Sequence, residues 1–366
     1  MNLQAQASSV ESIKPNWRQV GWYLLLTFGL TWSIDLALYL AGGLTNPSTK
    51  LLLQFQMLMP AFCALLLGYF FFKDNPIFRT RHLVRWFIYL YFLMTGLYLA
   101  GSIACLVNPD LTTSLSLVLL LPSVVGLILL VVLRLKGSKQ AFAGTGMAGG
   151  KARIWFVCGL GLVIFYGLQS WFNLLFKLGS IVDLKVAFPQ FAASQLPEST
   201  FLLSTAFNAL ILGPFLGLII TFGEEYGWRG FLQTELMRLG RIRGVLLLGL
   251  IWGIWHWPVI WMGYNYPGQP LLGSIFMVAY CIILAYFLAY AVLKSNGLWT
   301  AAYLHALNNQ SLSFFVMFLV TPSSVIYSFG IGLPALLIGA LVVALILRDP
   351  IWKESEPVRP ILYLAE

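Results

Sequence analysis

Residues Gly223-Glu224-Glu225-Tyr226-Gly227-Trp228-Arg229-Gly230 close an apolar run that begins at Ala209 and holds no charge before them. Two carboxylates and a guanidinium thus arrive at or near membrane depth. Ionised side chains are expensive there and mark function by default. On a helix, Glu225 and Arg229 lie four apart and share a face, so they can pair. Glu224 is turned about 100° from Glu225 by the 3.6-residue period, so it lacks that partner. A structural ion-pair knot accounts for one glutamate. The second one points to chemistry.

Outward from this stretch the chain stays apolar. Of its 366 residues, 59% are apolar and 10% are charged, against about 25% charged in soluble proteins. Span-length runs recur from Val20 to Leu347, which predicts an all-α fold, a polytopic transmembrane helical bundle of about ten spans. The expected spans are 20–41, 51–72, 86–107, 114–135, 154–175, 209–230, 244–262, 271–293, 298–320 and 327–347. The run after Arg18 has span length rather than signal-peptide length, so the first span is expected to stay. Lys and Arg fall eighteen on one side of this alternation and three on the other (Lys50, Lys177 and Lys185), with Arg229 inside the motif. Such a bias puts both termini in the cytoplasm. The composition fits an integral protein of a bacterial plasma membrane.

The net charge of +9 reads as topology rather than as a nucleic-acid surface, because the basic residues sit between spans. No nucleic-acid partner is expected; the bilayer is. The four cysteines, Cys63, Cys105, Cys158 and Cys281, lie inside apolar runs without paired spacing, so they read as small packing residues. The basic, Gly-rich segment 136–153 reads as a flexible linker. Three regions are expected: amino-terminal helices over 1–190, a functional core over 200–347 and a cytoplasmic tail over 348–366. A straight helix from Phe201 to Arg238 would outrun the bilayer core, and Gly213-Pro214 offers a break. Asp35 is the other acidic residue inside a span.

Three histidines occur. His82 lies in a basic loop and reads as surface. His256 sits in the seventh span and His305 in the ninth, where Asn309 follows four residues later on the same face. By helical rise, His256 lies about 18 Å in from Gly244, His305 about 12 Å in from Gly297 and Glu224 about 21 Å in from Arg238. Three helices thereby bring polar groups to a comparable level. Acyl transfer to water needs a base, a group that orients the water and donors for the oxyanion. Glu224 suits the base, His256 the orienting and proton-passing group, and His305 with Asn309 the donors. Glu225 and Arg229 would fix the motif helix in rotation. No serine or cysteine stands in a nucleophile motif, so direct attack by water is the economical route. A cavity opening toward the cytoplasm is expected, walled by Trp228, Trp252 and Trp255.

At these residues the chain resembles the CAAX-protease and bacteriocin-processing family of intramembrane glutamic endopeptidases, which includes the type II CAAX prenyl endopeptidases. Glu224, Glu225 and Arg229 match its first motif. Trp252 and His256 match its second, where phenylalanine usually holds the first place. His305 and Asn309 match its third. The resemblance covers about Ile219 to Asn309. It implies water activation by Glu224 with His256 and oxyanion binding by His305 with Asn309. It also implies no metal and no cofactor, and a peptide or membrane-protein substrate, lipid-modified in some members. Other readings are a zinc protease with Glu224, His256 and His305 as ligands, a non-proteolytic scaffold or immunity protein, and a transporter with the cluster as an ion relay.

Overall fold

The computed structural model describes residues 14–72, 83–137, 142 and 146–353. His82, residues 138–141 and 143–145 of the 136–153 linker, and the tail beyond Lys353 lie outside the described residues. Helices dominate: α1 (Trp17–Leu40), α2 (Thr49–Phe70), α3 (Arg85–Val107), α4 (Leu120–Lys136, after a short helix Thr112–Val118) and α5 (Ala152–Leu175). Then come a long irregular run, α6 (198–239), followed by α7 (Arg241–Trp255), α8 (Pro270–Ser295), α9 (Leu298–Leu312) and α10 (Leu333–Ile346). Two three-residue strands, β1 (Gly179–Ile181) and β2 (Val320–Pro322), pair antiparallel with Ser180 opposite Thr321. The chain is a polytopic helical bundle.

Among the described residues, seven helices are long and apolar enough to cross a membrane. The expected runs at 244–262, 298–320 and 327–347 correspond to α7, α9 and α10, of 15, 15 and 14 residues. A bilayer crossing takes roughly 20 helical residues, and the shortfalls of α7 and α9 have visible causes. Pro258 cannot continue α7, and the chain restarts as the short helix Trp257–Trp261. Beyond α9 the helix widens into a π stretch, Ser313–Leu319, before it joins β2.

The run α6 is not broken where Gly213-Pro214 suggested. It stays helical through Pro214, and the preceding turn, Asn208–Leu212, is π-helical. Proline clashes with the carbonyl four residues back, here that of Leu210, and a widened turn relieves the clash. A second π stretch, Tyr226–Leu232, follows directly on Leu218–Glu225. Such bulges recur at functional sites.

Glycine seams place this run. A Cβ on Gly223 would fall 2.5 Å from the Met57 carbonyl oxygen, and one on Gly227 would fall 2.5 Å from the Pro60 carbonyl carbon. α6 therefore meets α2 backbone to backbone, through two small residues four apart. Gly249 and Gly253 do the same for α7 against Ile282 and Val278 of α8. Close approach of this kind is how helices associate where no water drives them together. Gly227→Leu and Gly253→Leu are each expected to cut folded yield and lower the melting temperature in detergent. Overpacking costs about 1–3 kcal/mol, and here the obstacle is backbone that cannot swing aside. Gly161→Ala, with nothing within 4 Å of its new methyl group, should melt as the parent does; equal melting of all three variants would refute the seams.

The basic helix ends gather at one end of the bundle. The Asn16 N–H donates to Glu235 Oε2 at 2.9 Å, and Glu235 pairs with Arg238 at 3.2 Å. Lys294 meets Asp349 at 2.7 Å, Arg241 donates to the Ile351 carbonyl, and the Lys151 N–H reaches the Ser295 carbonyl. The Lys294 ammonium holds the Asp349 carboxyl below the usual carboxylate range.

Candidate active site

Tertiary packing first sets α6 against α9. Thr221 Oγ1 donates to the Ala302 carbonyl at 2.8 Å. One turn on, Glu225 Oε1 accepts from His305 Nδ1 at 2.7 Å, and Oε2 lies 3.1 Å from Arg229 Nε. The Glu225–Arg229 pair expected from spacing is therefore present, with both side chains at 0% exposure. The two atoms meet as an ion pair by distance but without hydrogen-bond alignment. The guanidinium instead lies over the Trp252 ring, 4.2 Å from its centroid. A desolvated cation on an indole face gains up to about 2 kcal/mol.

Trp252 is the hub. Its indole Nε1–H donates to Glu224 Oε2 at 2.8 Å. Its ring centroid stands 5.5 Å from that of His305 and 5.9 Å from that of His256. One side chain of α7 thus touches or faces the spare glutamate, the arginine and both histidines. The sequence suggested only a wall for a cavity. The signal lay in Trp252 itself: an indole adds an N–H donor that phenylalanine, usual at that place, does not have. Trp228, Trp252 and Trp255 are all buried, so they form the core behind the site rather than an exposed rim.

His256 acquires its tautomer from the end of α7. Its backbone N–H turns to the Gly253 carbonyl, three residues back, instead of Trp252 four back. The ring then takes over the Trp252 carbonyl, with Nδ1 at 2.8 Å. A carbonyl only accepts, so Nδ1 carries the proton and Nε2 keeps its lone pair. By the same reasoning His305 donates from Nδ1 to Glu225, which leaves its Nε2 edge for other contacts. His256 is half-buried, whereas Glu224 and His305 are buried.

Asn309 stands one turn beyond His305, exposed, and accepts from Asn308 Nδ2 at 3.2 Å. Its neighbour Asn308 is the buried one: it accepts from the Tyr166 hydroxyl and donates to the Tyr280 hydroxyl, both at 2.8 Å. Sequence reasoning misses this network, because Tyr166 and Tyr280 belong to helices with no motif. It borders a cavity of about 180 Å³ between α5, α8, α9 and α10, whose lining does not include Glu224. Among the described residues, no three His, Cys, Asp or Glu side chains converge as a set of metal ligands. Cys63, Cys105 and Cys281 are buried, Cys158 is half-buried, and all four are free.

Residues 206–311 match the family model described as Type II CAAX prenyl endopeptidase Rce1-like. The matched segment holds all three motifs, and it agrees with the resemblance drawn from them. It supports a protease, in a chain whose long apolar helices make it an integral membrane protein. No curated protein and no solved structure matches the chain.

Proposed function

We propose that the chain is an intramembrane endopeptidase that hydrolyses a peptide bond with water activated by Glu224 and His256. The observation that carries this reading is the convergence on Trp252 of a buried glutamate, a second glutamate bound to arginine and histidine, and a half-open histidine. A scaffold needs no such division of labour between adjacent carboxylates.

In this mechanism water attacks the scissile carbonyl carbon and gives a proton to Glu224. The carbonyl oxygen becomes an oxyanion, which accepts hydrogen bonds from His305 Nε2–H and the Asn309 amide. Glu225 supports His305 from Nδ1, so the ring can hold both protons. The proton taken from water then passes, by way of Glu224 or His256, to the leaving nitrogen as the C–N bond breaks. The products are a carboxylate and an amine, and no group on the protein is covalently changed. Metal ions and organic cofactors have no part in these steps.

The substrate class follows the matched family: a carboxy-terminal peptide segment, in some cases lipid-modified, entering from the bilayer. The experiment is incubation of the purified chain with paired peptides, prenylated and unprenylated, in H₂¹⁸O. Cleavage with one ¹⁸O in the new carboxylate is expected. Absence of any cleavage across both peptide classes would favour the scaffold reading. The basic end, with both termini, faces the cytoplasm in this mechanism. A cysteine placed at Ser8 should react with an impermeant reagent only after cells are opened; reaction in intact cells would reverse the orientation.

A further inference from the structure

His305 and Asn309 stand one turn apart on α9, and a side chain that is to donate in one direction needs a group behind it. For His305 that group is Glu225, bound at Nδ1. Asn309 is exposed, and the last torsion of an asparagine is broad and roughly two-fold, so its oxygen and nitrogen exchange places unless something holds them. The neighbouring side chain does hold them: Asn308 Nδ2 donates to Asn309 Oδ1 at 3.2 Å. Asn308 is in turn bound on its other side by Tyr166 of α5 and Tyr280 of α8.

A count of protons fixes the sense of this network. Tyr166 has one hydroxyl proton and gives it to Asn308 Oδ1 at 2.8 Å, an atom that only accepts. Asn308 Nδ2 has two, one directed to the Tyr280 oxygen at 2.8 Å and one to Asn309 Oδ1. The two tyrosine oxygens also meet, at 3.0 Å. Because the Tyr166 proton is already engaged, Tyr280 donates in that contact. The three side chains thus close into a ring whose donors all point the same way round, and the proton that leaves the ring goes to Asn309. Turning Asn308 over would present its oxygen to Asn309, whose amide would turn as well and aim its own oxygen outward. Tyr166 and Asn308 are each 1% exposed, and Leu162, Phe165, Leu284 and Leu336 border the same cavity. Such walls offer no substitute partner for a broken bond.

We propose that Tyr166, Asn308 and Tyr280 are positioning residues that lock the Asn309 amide with its N–H donors outward, where the oxyanion forms. Donors stabilise an oxyanion best when they need no reorientation as the charge develops. A freely turning amide would offer its oxygen as often as its nitrogen, and the oxygen repels an oxyanion. None of the three locking residues touches the substrate. Tyr166 lies outside the matched segment 206–311, so the lock extends the functional unit to α5. Its catalytic meaning rests on the hydrolytic reading; the lock itself does not.

The test is magic-angle-spinning NMR of the full chain in lipid bilayers, labelled with ¹⁵N-asparagine, the Asn309 side-chain signal being identified by its loss in Asn309→Ala. Asn173 is the rigid reference: it is buried, accepts from the Phe329 N–H at 2.8 Å and donates to the Phe329 carbonyl at 3.1 Å. In the parent the side-chain N–H order parameter of Asn309 is expected to match that of Asn173. Tyr166→Phe and Tyr280→Phe should each lower it at Asn309 and leave Asn173 unchanged. A mobile Asn309 amide in the parent overturns the proposal, even if neither tyrosine variant folds; an Asn309 that stays rigid in both folded variants overturns it as well. In peptide cleavage each tyrosine exchange should lower kcat several-fold at unchanged KM. Asn309→Ala alone should lower kcat by about 10²–10³-fold, the usual loss for one oxyanion donor, and in that background the tyrosine exchanges should have no further effect. An undiminished further effect would make the tyrosines supports of the bundle and overturn the lock. Order parameters as expected, in a chain that cleaves no peptide, keep the lock and remove the hydrolytic reading.

Discussion

Exchange of Glu224 for Gln is expected to abolish peptide hydrolysis and to leave the protein folded. The carboxylate meets the rest of the molecule through Oε2, which accepts from Trp252 Nε1 at 2.8 Å. The amide oxygen of glutamine fills the same place and accepts the same hydrogen bond. What glutamine cannot do is take a proton from water. General-base catalysis contributes about 10²–10⁴-fold, so loss of turnover by at least that factor is expected beside an unchanged melting temperature. Parental turnover in a folded Glu224→Gln preparation would remove Glu224 from the chemistry.

Glu225→Gln and Arg229→Ala are expected to fail differently, with loss of folded yield as well as of activity. Glu225 serves two partners, Arg229 at 3.1 Å and His305 at 2.7 Å, and neither Glu225 nor Arg229 is exposed. Removing either member of a buried ion pair strands the other charge and costs roughly 3–5 kcal/mol. Arg229→Ala also uncovers the Trp252 face. The double variant Glu225→Gln, Arg229→Met separates the two roles. Removing both charges with similar volume should return much of the stability. Activity should stay lost, because His305 no longer has a carboxylate behind Nδ1. Melting of the single variants at the parental temperature would show that the pair does not hold the fold.

Much of the site is legible in the residues. Intramembrane charge is rare enough that Glu224, Glu225, Arg229, His256 and His305 stand out from the amino-acid sequence alone. Helical period pairs Glu225 with Arg229 and leaves Glu224 over. Span positions follow from runs of apolar residues, and those from α1 to α5 end within a few residues of expectation. Sequence spacing does not reveal contacts between helices. The His305–Glu225 bond crosses from α9 to α6, and Trp252 reaches Glu224 from α7. Periodicity fixes which residues share a face but not which faces meet. The glycines at 223, 227, 249 and 253 decide that, and their meaning depends on the backbone opposite. Departures from ideal helix are equally hidden: a proline signals trouble, and whether the chain breaks or widens into a π turn depends on its neighbours.

At the centre of the proposed mechanism a glutamate, and not a metal ion, activates the water. Peptide cleavage by the purified chain, assayed in excess chelator with and without added zinc, tests it most directly. Equal rates are predicted in both conditions, with no cleavage by Glu224→Gln in either. Activity lost in chelator and restored by zinc would contradict the mechanism, and would make Glu224, His256 and His305 metal ligands.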